Sequence, residues 1–354
     1  MKIKLAILEQ DQTYLNRIVS VFNMKYSDQF EIYSFTDMAI ATSVLDKSRI
    51  DVFLASSAFT VDTDSIPKRC SFAYLVDSIE IEELNGNKAI CKFQKIDLIY
   101  KQILSLYSDS VNSNIGFKFG NDNTKLIIFA SPDGGVGTSS VAAACAMNFA
   151  SKGKKVIYLN LERIGLSESF FSGEGKYDMS DVIFALKSKK ANVPLKLESS
   201  IKQDHTGVYF YSQSKLALDM YEMTVDDMVH LISELALIGS YEYIIADMDF
   251  SLEPNMISAY KHADSLVWVC DGSEISVQKT KRAYDSLAIL EQNSDNPLTR
   301  NLSLIYNRFS NKTGMTIDDS IIRSVGGAPR YEHAGTIQVA EQLSKLTFYE
   351  DLIQ

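Results

Sequence analysis

The chain has 354 residues, of which 46% are hydrophobic and 23% are charged; this is typical of a soluble globular protein with room for two domains. Its formal net charge of -10 counts against a non-specific DNA binder, because such proteins need a basic surface. The four cysteines form no C-x-x-C pair and are predicted to be buried thiols. The N-terminus does not resemble a signal peptide, and no run reaches the ~18 apolar residues of a spanning helix.

Strands and helices alternate over the first 108 residues. The predicted strands are KIKLAILE, FEIYSF, IDVFLAS and FAYLVD, and the predicted helices are QTYLNRIVSVFNMKY, MAIATSVLDKS and IDLIYKQILSLY. The helical segments place apolar residues three and four positions apart, as an amphipathic helix does. Alternation of elements of this length predicts a parallel sheet covered by helices.

This order of elements resembles the receiver domain of response regulators, and Lys92 falls where receivers keep a lysine near the phosphate. Receivers collect acidic residues after the first strand, and the candidates here are Glu9 and Asp11. The phosphorylatable aspartate is replaced by Ser56, or by Ala55 on a one-residue slip, and neither side chain forms an acyl phosphate. The resemblance therefore implies a degenerate receiver-like domain that binds partners without phosphorylation. An unrelated α/β domain is the alternative.

A domain boundary is predicted in the segment YSDSVNSNIGFKFGNDNTK, residues 107–125, which is rich in Ser, Asn, Asp and Gly. Such residues favour turns and are well solvated. We therefore predict a receiver-like domain over residues 1–108, a linker over 109–122 and a second domain over 123–354.

The second domain opens with a glycine-rich loop, SPDGGVGTSS, at residues 131–140. A predicted strand, LIIFA, precedes the loop, and a predicted alanine-rich helix follows it. In this context the backbone N–H groups and the helix N-terminus point at one anion, and the glycines let the backbone approach it closely. Ser139 has its hydroxyl where such loops hold magnesium. A glycine turn without a ligand is the alternative.

Polar residues follow the later buried strands of this domain. Glu162 follows KVIYLNL, Asp247 ends the strand in YEYIIADMDF, and Asn307 lies in LSLIYNRF. Ligands of open parallel sheets bind at the carboxyl ends of the strands, where these side chains are predicted to lie. Asp247 is a candidate magnesium-side carboxylate, and the amide of Asn307 can read an adenine edge.

These features resemble the ParA/MinD superfamily of deviant Walker ATPases, whose loop reads K-G-G-x-G-K-[TS]. The sequence DGGVGTS places Asp133 at the signature lysine, Thr138 at the phosphate-loop lysine and Ser139 at the magnesium hydroxyl. Asn307 and Pro329 match the adenine-facing positions. The resemblance implies two doubly wound α/β domains, flavodoxin-like and then P-loop NTPase of the ParA/MinD type, with ATP and Mg²⁺ as cofactors.

The resemblance also assigns the site residues. Glu162 and Asp247 take the catalytic positions, with Glu162 expected to orient the attacking water, and Ser139 and Asp247 hold the metal. The implied nucleotide-binding residues are Asp133, Gly134, Gly135, Val136, Gly137, Thr138, Ser139, Ser140, Asn307 and Pro329. Because both lysines are replaced, we expect ATP binding with weak or absent hydrolysis, since a lost cation weakens transition-state stabilisation more than ground-state binding.

A receiver-like domain ahead of a MinD-like domain resembles the TadZ/CpaE family, which localises the tight-adherence (Flp, Tad) pilus machinery. This implies a cytoplasmic homodimer at the cell pole, on the inner face of the membrane, that does not bind nucleic acid. Pilus-assembly proteins are expected to bind the receiver-like domain, with peripheral membrane association through partners. A ParA/MinD-like partition or cell-division positioning ATPase is the alternative. The mixed charge of the tail, AEQLSKLTFYEDLIQ, favours packing on the core over membrane anchoring.

Overall fold

The protein divides into two compact units. The computed structural model describes residues 2–109, 124–188, 192–292 and 297–352. The first unit comprises Met1–Phe117 with Ala185–Ser200, and the second comprises Lys118–Phe184 with Ile201–Gln354. Apart from Asp109, the predicted linker at 109–122 lies outside the described residues. Within the described ranges, no helix combines the length and the apolar character needed to cross a membrane.

The N-terminal part of the first unit contains every strand and helix predicted for it, together with an additional hairpin. The hairpin turns at Asn85 and Gly86, which both have positive φ angles, 51° and 73°, as a two-residue type I′ turn requires. The elements in chain order are β1 (Ile3–Leu8), α1 (Gln12–Lys25), β2 (Phe30–Phe35), α2 (Met38–Lys47), β3 (Val52–Ser56), β4 (Ser71–Val76), β5 (Glu83–Leu84), β6 (Asn87–Cys91) and α3 (Ile96–Ser108).

The strands of the first unit form a sheet in the order β2-β1-β3-β4-β6-β5. All neighbours pair in parallel except β5, which is antiparallel to β6. With β6 as the fifth parallel strand, this is the flavodoxin-like order. On β1, Leu5 and Ile7 pack with residues of α1 and α3, whereas Ala6 and Leu8 pack with residues of α2. Apolar side chains therefore cover both faces, as a parallel sheet requires.

The second half of the chain continues the alternation of strands and helices. Each strand predicted there is present, and α8 begins with a capping box formed by Thr224 and Asp227. The elements are β7 (Lys125–Ala130), α4 (Thr138–Ser151), β8 (Val156–Asn160), α5 (Met179–Lys187), α6 (Val193–Ser200), β9 (Lys202–Gln203), β10 (Tyr209–Phe210), α7 (Ala217–Glu222), α8 (Val225–Ile238), β11 (Tyr243–Asp247), α9 (Pro254–Tyr260), β12 (Ser265–Cys270), α10 (Glu274–Leu290), β13 (Leu302–Phe309), β14 (Arg323–Pro329) and α11 (Thr336–Leu343).

The second unit has a mostly parallel sheet in the order β14-β13-β12-β7-β11-β8-β10-β9. Among the described strands of this sheet, only β9 runs antiparallel to its neighbour, β10, so the carboxyl ends of the other strands meet at one edge. Every residue of α4 from Val141 to Phe149 is buried. The C-terminal segment packs on α4, where Tyr349 is fully buried and its hydroxyl donates to the carbonyl of Val141 at 3.3 Å.

Helix α6 belongs to the first unit although it comes after β8 in the chain. Leu195 is buried in the same apolar cluster as Ile103 and Leu104 of α3. The ammonium of Lys196 donates to the hydroxyl of Ser105 at 2.8 Å, in a buried position. These residues fall within the range predicted for the second domain, and their packing against α3 was not predicted.

Candidate functional site

The glycine-rich loop joins the end of β7 to the start of α4. Gly135 and Gly137 have φ angles of 80° and 88°, in the left-handed region that glycine adopts without strain. A Cβ atom on Gly137 would lie 2.5 Å from the amide nitrogen of Asn307, so a side chain here would have to displace Asn307 from the loop. Helix α4 begins directly after Gly137, and its N-terminal N–H groups therefore face the loop.

Two side chains from the end of β13 contact the outer side of the loop. The amide nitrogen of Asn307 donates to the carbonyl of Val136 at 2.7 Å, and Nη1 of Arg308 donates to the carbonyl of Gly135 at 2.9 Å. Asn307 is buried, whereas Arg308 is exposed. The predicted base-reading residue therefore lies against the loop, with its amide nitrogen already engaged.

The acidic residue at the start of the loop has a partner from another element. Asp133 forms an ion pair with Lys279 of α10, with 2.7 Å between Oδ1 and Nζ. The hydroxyl of Ser131 accepts from the N–H of Asp133 at 3.1 Å and donates to the carbonyl of Val269 at 2.6 Å. The carboxylate of Asp133, which stands where the motif has its signature lysine, is therefore paired with a positive charge. The hydrogen bonds of Ser131 join the loop to the end of β12.

The predicted hydroxyl and carboxylates come together at the carboxyl ends of β8 and β11. Ser139 donates to Oε2 of Glu162 at 3.1 Å. Asp247 is completely buried and accepts from the hydroxyl of Tyr158 through Oδ2 at 2.9 Å. The N–H of Glu162 donates to the side-chain oxygen of Asn160 at 3.2 Å. Three residues predicted from separate motifs thus occupy one edge of the sheet.

Burial and mutual repulsion disfavour the charged forms of the two carboxyl groups. Burial raises the pKa of Asp247 well above its usual range, and the charge of Glu162 raises it further, although the hydrogen bond from Tyr158 opposes the rise. Burial also raises the pKa of Glu162, against the hydrogen bond from Ser139 and with the charge of Asp249 adding to the rise. A cation between the two groups would relieve both penalties.

The residues at this position fit a divalent cation such as Mg²⁺. The second oxygen of Asp247, Oδ1, is buried and has no hydrogen-bond partner, which is costly for a polar atom. The hydroxyl of Ser139 and the carboxylate of Glu162 supply further oxygen ligands of the kind Mg²⁺ prefers. In the described part of the chain no cluster of three or more His, Cys, Asp or Glu side chains forms a metal site, so other ligands would have to complete the coordination.

Two cavities lie at the ends of β13 and β14, and the smaller of them borders the loop. The smaller, of about 260 Å³, brings together Ser140, Asn307 and Pro329, all predicted site residues. The larger, of about 680 Å³, is lined by Tyr306, Pro329 and the acidic pair Asp318 and Asp319, among others. Pro329 borders both cavities. The smaller one has the position expected for a base next to the loop.

Sequence reasoning missed three residues of this site. Tyr158 lies inside a buried strand, where an aromatic residue is ordinarily read as core. Lys279 lies on α10, 146 positions after its partner Asp133, and no local signal connects them. Arg308 directly follows the predicted Asn307, and that adjacency is the one signal by which it could have been found.

In the first unit, the residues of the receiver-like pocket also lie at the carboxyl ends of the strands. Lys92 forms ion pairs with Asp77 at 2.7 Å and with the buried Glu9 at 3.2 Å. Although burial lowers the pKa of Lys92, its hydrogen bonds to the two carboxylates raise it on balance. Ser56 is the buried last residue of β3. Asp11 caps α1, its carboxylate accepting from the N–H groups of Thr13 and Tyr14.

The N-terminal part of the first unit is similar to the members of a known protein family. Residues 1–108 match the family model described as "TadZ-like, receiver domain". The flavodoxin-like strand order and the serine at the end of β3 therefore belong to a receiver fold that lacks the aspartate of the phosphorylated kind.

The second unit has the fold of a ParA family ATPase. The crystal structure of the ParA family ATPase from Chlorobium tepidum TLS covers 66% of this chain and 99% of its own length, with a TM-score of 0.52 and 18% identity. The septum site-determining protein MinD complexed with Mg-ADP from Pyrococcus horikoshii OT3 covers 65% of this chain and 92% of its own, with a TM-score of 0.48 and 17% identity. The predicted fold class, a receiver-like domain followed by a ParA/MinD-type fold, is confirmed.

A curated relative covers less of the chain. The uncharacterized ATP-binding protein MJ0169 of Methanocaldococcus jannaschii is 27% identical over 164 residues, which are 46% of this chain. The match spans 58% of the length of that relative.

Proposed function

We propose that the second unit binds ATP with Mg²⁺ and that the protein is a localisation and assembly factor for the Tad (Flp) pilus, with very slow or absent ATP hydrolysis. The observation that carries the proposal is the loop at 131–140. Two glycines of this loop have left-handed backbone conformations, and a helix begins directly after them. The loop has this geometry although Asp133 and Thr138 stand where the ParA/MinD motif has lysines. Backbone N–H groups in this arrangement bind phosphates without a cationic side chain. The name of the curated relative, an ATP-binding protein, supports the choice of nucleotide.

The proposed ATP site uses the residues predicted from the motif. The phosphates would contact the backbone of residues 133–140, and the base would occupy the 260 Å³ cavity between Asn307 and Pro329. The amide nitrogen of Asn307 donates to the loop, so its oxygen is the atom suited to accept from an adenine amino group. Mg²⁺ would be held by Ser139 and Asp247, and would neutralise phosphate charge.

The same site disfavours hydrolysis for two reasons. First, the loop lacks a lysine to stabilise charge that develops on the transferred phosphoryl group, and removing one such donor typically lowers turnover by roughly 10²–10³-fold. Second, Glu162, the carboxylate expected to orient the attacking water, already accepts a hydrogen bond from Ser139 at 3.1 Å, which occupies one of its oxygens. The proposed nucleotide is therefore a long-lived ligand that stabilises a homodimer.

The TadZ-like receiver domain supports the pilus assignment and the proposed route of partner binding. Lys92 already pairs with two carboxylates of its acidic pocket, those of Glu9 and Asp77, and Ser56 cannot accept a phosphoryl group as an acyl phosphate. Because a receiver of this kind is not phosphorylated at this position, phosphorylation does not change the conformation of its surface. We propose that pilus-assembly proteins bind this surface at the cell pole and bring the protein to the inner face of the membrane.

The proposal is tested by the location of a fluorescent fusion and by turnover in lysine-restored variants. We expect a polar focus that disappears when the Tad genes are deleted, and a purified protein that releases no phosphate above background. Asp133→Lys with Thr138→Lys should raise turnover, and adding Glu162→Gln should remove that gain. Brisk turnover by the unmodified protein, or its retention on DNA at physiological salt, would instead favour a partition or division-site ATPase.

A further inference from the structure

We propose that Arg308 supplies the positive charge of the phosphate site and, together with Asn307, orients the loop peptides whose N–H groups receive the phosphates. This inference rests on the proposed function, because it concerns how the same loop binds a nucleotide. In this arrangement a residue of β13 provides the positive charge that the loop lysines provide in the ParA/MinD motif. Arg308 is then a positioning residue that acts through the loop backbone.

The orientation follows from the planarity of the peptide bond. In a trans peptide the C=O and the N–H point in opposite directions. Arg308 donates to the carbonyl of Gly135 at 2.9 Å, so the N–H of Val136, in the same peptide, faces away from the guanidinium. Asn307 donates to the carbonyl of Val136 at 2.7 Å, so the N–H of Gly137 is directed in the same way. Two consecutive N–H groups are thus turned towards the inner side of the loop.

Within the described ranges, no side chain or carbonyl accepts from the N–H of Val136 or Gly137. Successive N–H groups flanked by left-handed glycines form a concave anion-binding nest. The bonds to Asn307 and Arg308 therefore occupy the carbonyl side of the loop and leave the N–H side to an anion.

An irregularity at the end of β13 places these two side chains against the loop. The pairing of β13 with β14 shifts register between Tyr306 and Phe309, so that Asn307 and Arg308 fall at an irregularity in the ladder. Arg308 has a φ of 57°, a left-handed conformation that is uncommon for a side chain other than glycine, asparagine or aspartate. Such strain persists where surrounding contacts hold it, and it concentrates at functional sites. Irregularities of this kind redirect side chains at the ends of strands.

The charges around the loop favour the same interpretation. Asp133 is paired with Lys279 at 2.7 Å, which leaves the guanidinium of Arg308 as an additional positive charge at the loop. A charged donor polarises the peptide to which it bonds and strengthens the N–H at the other end of that peptide. Because Arg308 is exposed, its effect is expected to pass mainly through this bond and less through long-range attraction.

The experiment compares Mg-ATP and adenosine binding by calorimetry in the full chain with Arg308→Met and Arg308→Lys. Arg308 also lines the cavity proposed for the base, so we expect Arg308→Met to weaken Mg-ATP roughly tenfold or more and adenosine by a clearly smaller factor, and Arg308→Lys to recover part of the Mg-ATP loss. Lys312→Ala, which removes the same charge from the exposed turn after β13, should bind like the unmodified protein. A purely structural role of Arg308 would weaken both ligands equally, and that result would overturn the inference.

A measurement on the unmodified protein decides the matter if the variants do not fold. The backbone amide signals of Val136 and Gly137 in ¹⁵N-labelled protein should shift strongly when inorganic triphosphate with Mg²⁺ is added. Shifts elsewhere in the loop with none at these two amides would overturn the inference while leaving the proposed function standing. Failure of the unmodified protein to bind either Mg-ATP or triphosphate would instead contradict the proposed function.

Discussion

The hydroxyl of Tyr158 donates to Oδ2 of Asp247 at 2.9 Å, and both residues are fully buried. This bond fixes the carboxylate so that its other oxygen, Oδ1, remains unpartnered inside the site. The two residues lie on neighbouring strands, β8 and β11. A phenol on one strand thus sets the orientation of the proposed metal ligand on the next.

Tyr158→Phe should destabilise the protein because it leaves a second oxygen of Asp247 buried without a donor. Leaving a buried polar group unsatisfied costs about 1–3 kcal/mol, and we expect a decrease of this size in the free energy of unfolding measured in urea. Tyr284→Phe is the matched control, since Tyr284 lies partly exposed on α10. An equal effect of the two substitutions would contradict the assigned role of Tyr158.

The stability contributed by Asp247 should depend on pH. Because its pKa is raised above the usual 3.8, the folded state holds the proton over a pH range where the unfolded state has lost it. The contribution of this proton to the free energy of unfolding is fully present below about pH 4, and it is lost as the pH rises through the pKa of Asp247 in the folded state. Asp247→Asn, which mimics the protonated form, should therefore stabilise the protein more at pH 8 than at pH 4.

The pH dependence is measured by urea unfolding of both proteins at the two pH values without divalent cations. Asp285→Asn is the control, because Asp285 is an exposed aspartate on α10, outside the site. A stabilisation by Asp247→Asn that does not change with pH would show that the carboxyl group titrates normally.

The ion pair between Lys279 and Asp133 should support nucleotide binding. Lys279→Ala leaves the carboxylate of Asp133 unneutralised beside the loop, and we expect Mg-ATP affinity to fall by up to about fivefold, the range for a partly exposed pair. Adding Asp133→Asn should restore the affinity by removing the repelling charge. Lys281→Ala, on the same helix, serves as the control. If the double variant binds as weakly as Lys279→Ala alone, repulsion by Asp133 is not the cause.

Helix α6 should contribute to the stability of the first unit. Leu195 is buried in the core that contains α3, and replacing a buried leucine by alanine typically costs 2–5 kcal/mol, so we expect Leu195→Ala to lose about 2–5 kcal/mol. Unfolding is followed by tyrosine fluorescence and circular dichroism in urea. Leu218→Ala is the matched control, because Leu218 is 73% exposed. A negligible effect of Leu195→Ala would mean that α6 is not part of this core.

Much of the fold could be predicted because its signals are local. The apolar runs that became β7, β8, β11, β12 and β13 are bounded by polar residues, and the capping box of Thr224 and Asp227 marks the start of α8. The β5–β6 hairpin was also predictable in principle from Asn85 and Gly86 but was missed, because its strands are short. Likewise, Ser139, Glu162 and Asp247 could be placed together because parallel strands end at one edge.

Other features could not be predicted because they depend on packing between distant segments. Helix α6 has no sequence signal that distinguishes packing on α3 from packing beside its neighbours in the chain. The partners of Asp133 and Gly135 are Lys279 and Arg308, more than a hundred positions away. Asn307 illustrates the limit: its residue type suggested base recognition, whereas its hydrogen bond to Val136 depends on where the loop lies in three dimensions.

The most direct test of ATP binding without a loop lysine is isothermal titration calorimetry of the purified protein with Mg-ATP and, separately, with Mg-ADP. We expect saturable binding that weakens when Ser139 is changed to Ala or when Mg²⁺ is removed, together with no release of phosphate during the titration. If neither nucleotide binds at millimolar concentration with Mg²⁺ present, the proposed function of the second unit is wrong.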